Sequence, residues 1–225
     1  GEDRIDPHQM SLIYNFLEKF EHALAAELNH APTYMVTKRG IYSTYDLIEN
    51  AQESFSEELR KVMPGVSLVE FDMAGRSLAF GFGTSATLHL LRAVELVLKR
   101  YYEVFSGEKV NNNERSYAIY LKKLAALSDD EKIDHRPNKR LLQMLAQIKE
   151  HYRNPLTVSG AIISIDQAVS LFGIATAAMT LMSEEVLRAG VPSKKSRKAA
   201  KAALDEVAKA AKDEDNGQGE LLEVG

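Results

Sequence analysis

The chain has 225 residues, 45% of them hydrophobic, with 28 Lys and Arg against 32 Asp and Glu, no Cys and no Trp. That length carries one well-buried core and excludes a disulfide- or metal-stapled mini-protein. Without Cys there is no disulfide, thiolate zinc site or Cys nucleophile. A formal net charge of −4 provides none of the basic excess that a generic nucleic-acid binder shows. No unbroken run of about 18 apolar residues occurs, which predicts no membrane span. The first residues, Gly1-Glu2-Asp3-Arg4, lack the apolar core of a signal peptide and no initiator Met precedes them. The expectation is a trimmed, soluble, cytoplasmic chain that uses no metal and no cofactor.

Apolar spacing is helical along most of the sequence. Leu12, Phe16, Phe20 and Leu24 recur every four residues and predict a first helix that ends near Asn29-His30-Ala31-Pro32. Residues 34–43 are β-branched, aromatic and broken by Gly40, which reads as a short hairpin or an extended arm. Ser43 or Thr44 can cap a helix running to about Val62, where Pro64-Gly65 punctuates the chain. Another helix is predicted from about Ser67 to Phe80. Gly81 and Gly83 open the next, which continues to about Phe105. Residues 111–113 read as a loop and 115–126 as an amphipathic helix. Ser128 and Glu131 have capping-box spacing, predicting a short turn of helix there.

Pro137 suits the first turn of a helix with Leu141, Leu145, Ile148 and Tyr152 on its apolar face, and Pro155 should end it. Ser164 with Gln167 marks a last helix start. Residues 165–187 are apolar on nearly all sides, as in a central helix packed all round. From Pro192 the chain turns Ala/Lys-rich, with Lys194, Lys195, Arg197, Lys198 and Lys201 clustered before a Gly-rich end. A frayed helix and mostly disordered tail is predicted, with no aromatics for stacking on bases. The resulting division is a helical N-terminal extension over 1–66, a helical bundle over 67–191 and a charged tail over 192–225.

One position breaks the binary pattern. Leu88, Leu91, Leu98 and Tyr102 share a face of the helix over 84–105, and Glu95 falls in its middle with Arg92 at its border. A carboxylate in an apolar stripe is costly unless paired. Glu95 therefore either bridges two helices as a salt bridge or belongs, with Arg92, to a polar cleft. A second group is His151-Tyr152-Arg153-Asn154-Pro155, where Asn and a cation near a helix C-terminus would by themselves explain termination.

Residues 74–80, Ala-Gly-Arg-Ser-Leu-Ala-Phe, followed by 86–95, Ala-Thr-Leu-His-Leu-Leu-Arg-Ala-Val-Glu, resemble the first core helices of the HEPN superfamily. Tyr-Arg-Asn-Pro-Leu-Thr at 152–157 resembles that superfamily's Arg-Asn motif, which a His follows after a short spacer. The likeness spans about residues 70–185, with a weaker match near 37–48. It implies an all-α bundle of prokaryotic defence or toxin–antitoxin systems, working as a homodimer and cleaving RNA without metal. In such a site Arg153 would hold phosphate, Asn154 would organise the motif, and Glu95 with Arg92 would form the polar network beneath. Arg offers forked donors to phosphate oxygens, and His exchanges protons near neutrality.

The sequence departs from the motif at Val158, where the His should stand. Losing a general acid–base costs about 10²–10⁴-fold in rate, which predicts an impaired or inactive nuclease. His151 lies on the wrong side of Arg153, and His89 is about 60° from Arg92 around its helix. Val158 marks either an inactivating substitution or a natural non-catalytic member. The alternative function is accordingly a HEPN-like module for dimerisation, RNA binding or capture of an antitoxin or defence partner.

Overall fold

In a computed structural model, which describes residues 6–30, 36, 38–110, 117–131, 133, 135–159, 161–190 and 204, the helical spacing becomes helix almost throughout. No strand forms among the described residues beyond one antiparallel bridge between Arg39 and Tyr42. The chain divides into two compact units, Gly1–Thr37 and Lys38–Gly225. Residues 38–66, expected to belong with the N-terminal extension, are part of the bundle unit.

The first unit is α1 (Pro7–His30), which begins on proline, a residue whose fixed φ and missing N–H suit a first turn. Every described side chain from Asp6 to Asn29 is exposed, including the apolar face read from the sequence.

In the second unit, Gly40 turns the chain at φ 59° so that Arg39 and Tyr42 face each other across the bridge. Arg39 Nε donates to the carbonyl of Ala79, and Tyr42 packs edge-on against Phe172 at 5.0 Å. The single helix expected as far as Val62 is instead α2 (Thr44–Glu49), a 3₁₀ turn (Ala51–Ser54) and α3 (Glu57–Val62). Asn50 and Phe55 leave helical conformation, which delivers the Phe55 ring to the core against Phe71 at 4.8 Å. Ser43 and Ser56 accept from the amides of Asp46 and Leu59 and cap the two helices.

Next come α4 (Gly65–Ala79) and α5 (Gly83–Ser106), joined by a tight turn at Gly81 with φ 84°. Gly107, in the left-handed region at φ 71°, ends α5. α6 (Tyr117–Asp129) follows. Ser128 lies inside it and donates to the Pro137 carbonyl at 2.8 Å, so it does not cap a following turn as its spacing to Glu131 suggests.

α7 (Lys139–Ile148) is capped by Asn138, whose side chain accepts from Arg140 and Leu141. Pro137 stands just outside. α9 (Ile165–Ala189) opens on a complete capping box between Ser164 and Gln167.

The central helix is α5 rather than α9. Buried residues of α5 run around most of its circumference, from Ala86 and Leu90 to Tyr101 and Phe105, and it packs against α4, α6 and α9. α9 buries one side, including Leu171, Phe172, Met179 and Met182, while Ile174, Leu181 and Leu187 are exposed. An even apolar distribution therefore overstated how much of α9 is enclosed. With mean hydropathy 1.4 over its best window, α9 is also the one helix among the described residues long and apolar enough to cross a membrane by length and composition. A core helix passes the same test. The predicted tail over 192–225 lies outside the described residues except Leu204, which is helical and buried.

Candidate functional site

Pro155 does not end its helix. The chain widens into a π segment (Lys149–Arg153), in which the amide of Asn154 donates to the carbonyl of Lys149, five residues back, and then continues as α8 (Asn154–Ser159). Proline lacks an N–H, and its ring crowds the carbonyl four residues earlier in a regular α-helix. A wider turn placed immediately before it relieves both problems, and such π turns are a recognised way to re-aim side chains. Arg153 closes the wide turn and points inward, not out from the rim of a finished helix.

Glu95 and Tyr117 both help to hold Arg153. Its Nη2 lies 3.5 Å from each carboxylate oxygen of Glu95, and its guanidinium sits over the Tyr117 ring, 5.5 Å from the centroid. The side chains of Arg153 and Glu95 are 28% and 21% exposed. The pair is thus shielded on one side and open to solvent on the other. The Tyr117 hydroxyl donates to the carbonyl of Leu145 at 2.9 Å, fixing the ring beneath the guanidinium. Burial raises the Tyr117 pKa above its ordinary value; the Arg153 charge lowers it and Glu95 raises it. The phenol therefore stays neutral beneath the ion pair.

Around α5 the stripe is buried at Leu91, Leu98 and Tyr102, but Leu88 is 50% exposed, so the apolar face begins one turn later than its spacing suggests. Glu95, in the middle of that face, is met by Arg153 of the π segment. Asn154 donates from Nδ2 to Glu150 Oε2 at 3.0 Å, and Lys149 Nζ reaches Glu150 Oε1 at 3.2 Å. Asn154 thus braces the wide turn along its own strand of helix. Val158 has its backbone in α8, and its side chain lies outside the described residues.

Arg92 does not join Glu95. It turns to α4, where Nη2 lies 3.2 Å from Glu70 Oε1, while His89 Nδ1 is 2.7 Å from Glu70 Oε2. Successive steps of three residues along α5 rotate each side chain by about 60°, carrying His89 and Arg92 towards α4 and Glu95 towards α6. The polar network expected beneath the motif is therefore two separate clusters: Glu70–His89–Arg92, and Glu95–Arg153 on Tyr117. His151 is exposed.

Sequence reasoning missed Glu70, Tyr117 and Glu150. Glu70 was legible by the signal that found Glu95, a carboxylate flanked by apolar Val69 and Phe71, and it is 9% exposed. Tyr117 looked like one more member of an apolar face, and nothing in its spacing announced a cation above it.

Beside the wide turn, α6 and α7 flank a groove of about 430 Å³ with Leu121, Ala125, Leu142 and Ala146 along it and Lys149 and Glu150 among its lining. No group of three or more His, Asp and Glu suited to a metal ion occurs among the described residues. The arrangement can present a guanidinium to an anion in exchange for its contacts with Glu95. Comparisons with protein-family models, curated proteins and solved structures find no match to this chain.

Proposed function

We propose that the chain is a HEPN-like bundle of endoribonuclease ancestry from a bacterial defence or toxin–antitoxin system, with Arg153 as the phosphate-binding group and cleavage impaired because Val158 replaces the His. The observation that carries this reading is the placement of Arg153: a half-buried guanidinium at a π turn, next to Asn154 and within reach of the Glu95 carboxylate. RNA phosphate would take over donors now shared with Glu95, and the Tyr117 ring would keep the guanidinium plane in place. The chemistry needs no metal, since RNA supplies its own 2′-hydroxyl as nucleophile. Two copies would bring two Arg153 side chains to one phosphodiester, making the working unit a homodimer.

Binding of a fluorescently labelled single-stranded RNA, followed by anisotropy, tests the role of Arg153. Arg153→Ala removes a charge-assisted contact worth about 1.5–3 kcal/mol, so affinity should fall roughly tenfold or more. Glu95→Gln should leave affinity unchanged or raise it, because the guanidinium is released from its carboxylate. Equal affinity for the original chain and Arg153→Ala would make the pair a structural bridge and remove the phosphate role.

A further inference from the structure

α1 is the one described helix of its unit, and nothing described within that unit covers its apolar face. It is 24 residues long, and Met10, Ile13, Leu17, Phe20 and Leu24 are all between 42% and 55% exposed. A helix of ordinary composition draws most of its stability from packing an apolar face, and an exposed stripe of this size marks an interaction surface. The five residues follow one another at intervals of three, four, three and four, which is the a/d repeat of a coiled coil. Extending the repeat puts Glu27 at the next d position, Tyr14, Glu21 and Leu28 at e, and Gln9, Phe16 and Ala23 at g.

We infer that α1 is an assembly helix that pairs antiparallel with α1 of a second copy of this chain. The sequence separates the two directions. In a parallel pair Glu27 would meet the partner's Glu27 across the seam, and Phe16 would lie against the partner's Glu21. In the antiparallel pair, with the two-fold axis between residues 18 and 19, each a position faces a d position. Ile13 meets the partner's Leu24, Leu17 meets the partner's Phe20, and Met10 meets the partner's Glu27.

The flanks also fit that direction. Phe16 falls opposite the partner's Ala23, large against small, and Tyr14 opposite the partner's Glu21, a hydroxyl against a carboxylate. α1 has no acidic residue in its own first turn. The antiparallel register brings the partner's Glu27 there, where unsatisfied amides favour a negative charge. A two-fold axis makes both halves of the interface identical, the usual form of a homodimer.

The chain contains no Cys, so single spin labels can be placed cleanly on the full chain at His8→Cys or at His22→Cys, both on the outer f positions. In the antiparallel pair the two His8→Cys labels lie about 31 Å apart along the axis and the His22→Cys labels about 10 Å apart, from the 1.5 Å rise per residue. Pulsed dipolar spectroscopy should therefore give a long distance at position 8 and a short one at position 22. Leu17→Asp should abolish both, with the circular dichroism of the bundle retained. Equally short distances at both positions would overturn the antiparallel register. No intermolecular coupling at either position, or coupling indifferent to Leu17→Asp, would overturn the pairing of α1 altogether, even if the bundle dimerises through another face.

Discussion

Arg153 and Tyr117 show how burial, more than a neighbouring charge, sets the state of a phenol. The phenol is buried under the guanidinium, and it belongs with Tyr42, Tyr101 and Tyr102, whose pKa values are likewise raised, first of all by burial. Tyr101 donates to Glu185 and accepts from the amide of Asn138, tying α5 to α9 and to the start of α7. Because these phenols hold their protons more tightly folded than unfolded, their contribution to stability is complete below the ordinary tyrosine value of about 10. It is lost as pH climbs beyond that value. Alkaline titration should show the exposed tyrosines ionising first, then a cooperative rise in tyrosinate absorbance that coincides with loss of helical circular dichroism. Ionisation of all nine tyrosines in one broad step, with the helices intact, would contradict the burial described here.

Helix periodicity located the elements well and their ends less well, for reasons visible in particular residues. The starts at Ser43 and Ser164 were legible because a side-chain oxygen must take up free amides, and both do so. The breaks at Asn50 and Phe55 were not, because a long-range contact, Phe55 on Phe71, decides them. Pro155 misled for the opposite reason: the rule against proline holds for an α-turn, and the chain escapes it with a π turn.

Gly75 was likewise unremarkable in sequence, although it fixes how closely α4 approaches its neighbours. A Cβ there would lie 2.5 Å from the Leu47 carbonyl oxygen and 2.7 Å from Ala51 Cβ. Gly75→Ala should thus destabilise the fold by about 1–3 kcal/mol despite the better helix propensity of alanine. Gly65→Ala, with no atom within 4 Å of the new methyl, should be neutral or stabilising by up to about 1 kcal/mol. Chemical denaturation of the two variants checks this. Equal midpoints would mean that α4 has room to move away from α2.

At the scale of the whole molecule, the all-α architecture and the pairing of Glu95 with Arg153 were within reach of the sequence, since an acid in an apolar stripe needs a partner. The split of Arg92 from Glu95 was not, because it depends on which neighbouring helix each side chain meets. Under the proposed reading, position 158 is where this sequence parts from the motif.

The most direct measurement is cleavage of a labelled single-stranded RNA in EDTA by the Val158→His chain. A restored general acid–base is worth about 10²–10⁴-fold. Cleavage should appear on this replacement and disappear again when Arg153→Ala is added. Cleavage equally strong before the replacement, or none after it in a folded protein, would contradict the proposal that a missing His alone separates this site from a working ribonuclease.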